Sequence, residues 1–202
     1  MTRKIHDTDY LFLTTRVRAL EGCLLNRGQM EQMLEAGSPE EAARILTDCG
    51  YPELETVSAI TVGEMLNRER ERLFQDLAEL VPDPAILAVF QLPHDYHNVK
   101  VLLKSEAMGI QEDRLLVDAG RIPSKQLVAA LRSGEVQNLP PQLGEAIDKA
   151  RQVLSATRDP QMGDMVLDRR YFQELLVLAE ETGPMFLQGY VQRRIGEANL
   201  RR

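Results

Sequence analysis

The chain has 202 residues, with 24 basic against 31 acidic side chains for a net charge of −7, 44% hydrophobic and 27% charged residues, and no Trp. That length accommodates one large or two small domains with buried cores, and the balance is that of an ordinary globular protein, which excludes extended disorder and fibrous repeats. The negative charge argues against broad binding to DNA or an anionic membrane, and the 5% aromatic content argues against a stacking platform for single-stranded nucleic acid.

The opening Met1-Thr2-Arg3-Lys4-Ile5-His6-Asp7 is not followed by an apolar stretch of signal-peptide length, and no window reaches the roughly 20 apolar residues of a membrane helix. A cytoplasmic protein is expected, one that docks at a membrane only through a complex. From Asp9, the apolar residues Tyr10, Leu13, Val17, Leu20 and Leu24 recur at steps of three and four and predict one helical stripe, with Arg16, Arg18, Glu21 and Arg27 facing solvent. Ser38-Pro39-Glu40-Glu41 predicts a capped helix start, with Glu41 returning a bond to the cap, and Gly50 with Pro52 predicts its end. Thr61-Val62-Gly63-Glu64 reads as a second capping box, opening a helix through Met65, Leu66, Leu73, Leu77 and Leu80 to Pro82.

Asp83-Pro84 starts a short apolar helix through Phe90. Pro93 is expected to break it, and a new helix runs from about Asp95 to Ala107 before Gly109. After a turn over Asp118-Ala119-Gly120-Arg121-Ile122-Pro123, Ser124 is placed to cap a helix carrying Leu127, Val128 and Leu131 and closed by Gly134. Asn138-Leu139-Pro140-Pro141 reads as a spacer, dividing a first part, residues 1–139, from a second, residues 140–202. The second part holds a helix to about Thr157 with Leu143, Ile147 and Leu154, and a break at Asp159-Pro160-Gln161-Met162-Gly163. Two final helices follow, striped by Tyr171, Leu175, Leu178 and by Phe186, Tyr190, Ile195, and joined by Gly183-Pro184. No segment alternates apolar and polar residues between hairpin turns, so the fold class is all-α.

Two segments resemble each other. Asp95-Tyr96-His97-Asn98-Val99-Lys100-Val101-Leu102-Leu103-Lys104 and Arg194-Ile195-Gly196-Glu197-Ala198-Asn199-Leu200-Arg201-Arg202 both carry Asn, an aliphatic residue and a basic residue late in an amphipathic helix. Duplicated helical units of this kind build scaffolds and sockets. A helix interior disfavours Asn, so Asn98 and Asn199 are expected to be buried, to bond the backbone of a neighbouring helix and to fix packing between repeats, together with Asp95 and Tyr96. Asp95 also reads as a helix N-cap. Lys100, Lys104, Arg193, Arg194, Arg201 and Arg202 lie near helix ends, where they favour the helix dipole or form a basic lip for an acidic partner.

His94, Asp95 and His97 have the look of a metal site, but the chain has only three His, too few for the ligand sets such sites use, and a metal-dependent hydrolase is the weakest alternative. Cys23 and Cys49 fit no metal or redox spacing and read as reduced. The eight Met residues, among them Met30, Met33, Met162, Met165 and Met185, are scattered as core filler. Neither a nucleophile triad nor a phosphate loop is present, and no catalytic residue or cofactor is assigned.

Asp9-Tyr10, Thr15-Arg16-Val17-Arg18-Ala19-Leu20-Glu21, Ser38-Pro39-Glu40-Glu41-Ala42, Thr47-Asp48-Cys49-Gly50-Tyr51 and Asp95-Tyr96-His97-Asn98-Val99-Lys100, in that order, resemble the C subunit of the V-type and archaeal-type rotary ATPases, whose eukaryotic counterpart is the d subunit. Leu167-Asp168-Arg169-Arg170-Tyr171-Phe172 and the Tyr190–Arg201 segment look like the next repeat. The resemblance implies repeated helical bundles stacked as a funnel. It also implies a non-catalytic socket that couples central-stalk subunits of the D and F type to the membrane proteolipid ring during proton or sodium transport. Gly196 departs from the Asp often found there. The family usually continues into a further helical unit, so a shortened chain is expected to expose apolar surface that drives dimerisation. A free-standing adaptor that binds partner helices in a groove is the other alternative.

Overall fold

The computed structural model describes residues 6–110 and 112–200. All regular structure among them is helical, and no described helix is long and apolar enough to cross a membrane. The chain divides into two compact units, Met1–Pro82 and Asp83–Arg202. The boundary therefore falls at Pro82 and not at Pro140, because the helix that begins at Pro141 packs along its neighbours on both sides of the proline pair in one shared core.

The first unit holds α1 (Leu11–Glu21), α2 (Arg27–Glu35), α3 (Pro39–Asp48) and α4 (Ala59–Leu80), with α1 against α4 and α2 against α3. Local chemistry sets its ends. Asn26 and Gln29 exchange side-chain and backbone bonds at the start of α2, and Ser38 accepts from the Glu41 N–H at 3.2 Å with Pro39 at the first helical position. Glu41 reaches past the cap to the N–H of Gly37, 2.9 Å away. Gly50, at φ +94°, ends α3 in a conformation glycine tolerates without a Cβ penalty. The helix α4 starts three residues earlier than Thr61 predicts. Ser58 is the cap and Thr61 the third helical residue, each bonding the other's backbone N–H. Leu46 and Met65 are the unit's buried apolar residues among those described. The predicted α1 stripe is only half covered: Tyr10, Leu13 and Leu20 are partly buried while Val17 and Leu24 are exposed. Arg16, expected in solvent, pairs with Asp76 at 3.4 Å.

The second unit holds α5 (Pro84–Met108), α6 (Ser124–Ser133), α7 (Pro141–Thr157), α8 (Pro160–Thr182) and α9 (Met185–Leu200). Helix α8 is central, packed by α5, α7 and α9, and α6 lies on α5. Pro93 does not break α5, which is one continuous helix. The proline withholds a donor from the Val89 carbonyl and costs about 3 kcal/mol. Leu92, Val99 and Leu103, flanking it, are at most 2% exposed, and burying such side chains contributes about 1.5–3 kcal/mol each, but only if both halves face the same core. At α6 the cap is again displaced. Ser124 is itself buried and donates its N–H to Asp118, 2.8 Å away. The break before α8 shrinks to Arg158 and Asp159, with Asp159 capping Gln161. Gly163 lies inside α8, where a Cβ would sit 2.8 Å from Leu154, so the two helices approach closely there. In α9 the buried residues are Leu187 and Val191, not Phe186, which is 79% exposed.

Candidate functional site

The polar residues of the second unit concentrate along the seam between α5 and α8. Asp95, 0% exposed, accepts from Arg121 Nε at 2.7 Å and from the Ile122 N–H at 3.2 Å. It lies well inside α5 and is not an N-cap; Asp83 has that role, accepting from Ala85. Burial pushes the Asp95 carboxyl above its ordinary range, against the pull of the Arg121 guanidinium and the Ile122 and Arg121 amides. Arg121 Nη2 sits 2.9 Å from Glu174 Oε1 as an ion pair. Burial works against the Arg121 charge, but the two carboxylates outweigh it and keep the guanidinium protonated.

Tyr96 donates its hydroxyl to Glu174 Oε2 at 2.9 Å, and burial, then Glu174, pushes the phenol far above its ordinary value. Lys100 pairs with Asp168 at 2.5 Å and Lys104 with Asp164 at 2.7 Å. Residues spaced by four on α5 thus meet residues of α8 in reverse order, at steps of six and then four. The three rungs Tyr96–Glu174, Lys100–Asp168 and Lys104–Asp164 set the register of two antiparallel helices. Asn98, also 0% exposed, clasps the loop after α5. Its Nδ2 donates to the Val117 carbonyl at 2.8 Å and its Oδ1 accepts from the Val117 N–H at 2.9 Å. The loop is held at a second point, because a Cβ on Gly120 would lie 2.3 Å from Asp95 Oδ1.

The α9 segment is different. Asn199 is exposed, Leu200 is 89% exposed, and Gly196 has open space where Asp95 has Arg121. Arg193 makes a surface pair with Glu197 on its own helix at 3.3 Å, and Arg194 is exposed, its guanidinium pulling against the burial that raises the Tyr171 hydroxyl. Arg201 and Arg202 lie outside the described residues. Asp95, Tyr96 and Asn98 therefore share one buried seam and Asn199 stands apart from them. The Lys100 and Lys104 ammonium groups are used inside the unit, whereas Arg193 and Arg194 face out.

Nothing at His94, Asp95 and His97 converges as a ligand set. Both Asp95 oxygens are engaged, and His97 Nε2 lies 3.0 Å from the Leu115 carbonyl. Among the described residues no three His, Cys, Asp or Glu are grouped to hold a metal. Four residues of the seam are not among the site residues expected from the sequence. Asp164 and Asp168 carried a usable signal, their i,i+4 spacing matching that of Lys100 and Lys104. Glu174 sits beside an apolar stripe and Arg121 in a loop, with no local pattern to mark either.

The chain matches the family model of the ATP synthase (C/AC39) subunit over residues 13–201. It is 28% identical over 176 residues to the C subunit of the V-type sodium ATPase of Enterococcus hirae, covering 87% of this chain and 54% of that protein. To the C subunit of the V-type ATP synthase of Thermus thermophilus it is 26% identical over 200 residues, covering 96% of this chain and 62% of the relative. The C subunit of the A-type ATP synthase of Methanocaldococcus jannaschii is 26% identical over 129 residues. The chain thus spans only part of the length of each of these relatives.

Proposed function

We propose, on the premise that this chain belongs to the ATP synthase (C/AC39) subunit family, that it is a non-catalytic rotor component of a V-type ATPase or ATP synthase, coupling the central stalk to the membrane proteolipid ring. The observation that carries this reading is the family match across residues 13–201. The names of the relatives, C subunits of a sodium ATPase and of ATP synthases, point the same way.

The packing suits the task. A part that transmits torque must not yield along its length, and close-packed interiors transmit strain. In the second unit the core along α5, α7 and α8 is reinforced by the charged rungs and by the Asn98 clasp, so that α5, its following loop and α8 move together. Partner contact falls to charges at the surface, and the exposed Arg193 and Arg194 fit: the first pairs with Glu197 on its own helix, and the second, which also bonds Tyr171, presents its charge to acidic residues of a stalk or ring. A peripheral, complex-bound location follows from this role.

The test is calorimetric titration of the chain with the purified D- and F-type central-stalk heterodimer of the same organism. Saturable binding is expected. Absence of heat and of co-elution on gel filtration would overturn the coupling role and put the helix-binding adaptor in its place.

A further inference from the structure

At one end of the second unit a groove of about 790 Å³ opens between the last turns of α5 and α7 and the first turn of α8. Its apolar lining comes from Leu103, Ala107 and Met108 on α5, Leu154 on α7 and Pro160 on α8, and Met108 is 66% exposed. On one wall Arg151 is neutralised by Glu106 at 2.9 Å and also donates to the Leu131 carbonyl. Arg158, which also lines the groove, is exposed, and its guanidinium has no ion pair or hydrogen bond among the described residues.

Arg158 is anomalous in a second way. It ends α7 at φ +55°, a left-handed conformation, while the other positive-φ residues described, Gly50, Gly109, Gly134 and Gly183, are all glycine. An L side chain is strained there, and the favourable meeting of a cation with a helix C-terminus recovers only part of that strain. Strain kept at a position where glycine would relieve it points to a use for the side chain.

We infer that this groove is a docking site for an acidic amphipathic helix of a partner protein, whose apolar face covers Met108 and Leu154 and whose carboxylate meets Arg158. Charge complementarity selects the sign. The groove is about half open to solvent, so a small molecule would stay partly wetted, whereas a helix needs only its apolar face covered. The inference is independent of the stalk-coupling reading and stands or falls on different residues.

The experiment is fluorescence anisotropy of the full chain with two labelled peptides of about 18 residues, long enough for five helical turns. Both carry leucines at i, i+3, i+4 and i+7, one with glutamates and the other with lysines on the opposite face. The acidic peptide is expected to bind saturably and the basic one at least about tenfold more weakly. Arg158→Gly is expected to raise the melting temperature, because the backbone strain is relieved, yet to weaken the acidic peptide about tenfold and erase the preference. Met108→Glu is expected to weaken it at unchanged fold, checked by circular dichroism. Equal affinity for both peptides, no saturation with the acidic one, or undiminished affinity in Arg158→Gly would each overturn the inference.

Discussion

Asn98 and Asn199 occupy matching places in two similar segments, and the molecule treats them in opposite ways. Around Asn98 the polar side chains find partners inside the unit: Asp95 in Arg121, Tyr96 in Glu174, Lys100 in Asp168, and the amide itself in both backbone groups of Val117. Around Asn199 the matching positions are Gly196, Glu197 and an aliphatic residue 89% exposed. One segment closes a seam and the other presents a surface. The difference is made less by the segment than by what packs on it: the Asn98 segment of α5 lies against α8 and the loop after α5, whereas α9 packs on α8 and touches α5 earlier along its length, at Tyr190 on Phe90. A repeated motif therefore carries a repeated shape without a repeated environment.

The two segments differ most in what each loses with an arginine. Arg121→Ala strands the buried Asp95 and Glu174 carboxylates and is expected to cost about 3–5 kcal/mol in urea unfolding. Arg193→Ala, in the α9 segment, is expected to stay within about 0.5 kcal/mol. Similar losses for the two would erase the distinction between closed and open segments. Next in size is Asn98→Ala, which leaves the Val117 N–H and carbonyl unpaired and is expected to cost about 2–4 kcal/mol, against about 0.5 or less for Asn199→Ala. If Asn199→Ala were the more damaging, the α9 face would be packed rather than open.

A pair of glycine substitutions sharpens the same contrast by sign. Gly120→Ala pushes a methyl group into Asp95 and is expected to destabilise by about 1–3 kcal/mol, while Gly196→Ala, in open space on a helix, is expected to stabilise by about 0.5–1 kcal/mol. Thermal melts of the two variants should move in opposite directions. The smallest effect is expected from the outer rungs. A double-mutant cycle on Lys100 and Asp168 should return less than about 1 kcal/mol, since both side chains keep a quarter to a third of their exposure. A larger coupling would extend the buried seam outward to these lysines.

The punctuation of this fold was legible wherever it is local. Ser38-Pro39, Asp83-Pro84, Gly50, Gly134 and Gly183 bound helices at or next to the predicted places, because capping bonds and left-handed turns involve residues two to four apart. The all-α class followed from the same signals. What failed depended on distant residues. Pro93 reads as a breaker until the core on both sides of it is known, and Phe186 reads as core until Leu187 and Val191 are seen to take the inner face. At the candidate site, the burial expected of Asn98 is present, but its partner lies in a loop and not on a neighbouring helix. Arg121 and Glu174 were invisible, since the first meets Asp95 across 26 residues of chain and the second meets Tyr96 across 78.

The most direct test of the coupling account is hydrogen–deuterium exchange on the chain with and without the central-stalk heterodimer. If the chain couples the stalk, the heterodimer brings new protection to α9 around Arg193 and Arg194, with exchange unchanged around Lys100 and Lys104, whose charges are already spent on Asp168 and Asp164. New protection centred on Lys100 and Lys104, or no change anywhere in the chain, would contradict it.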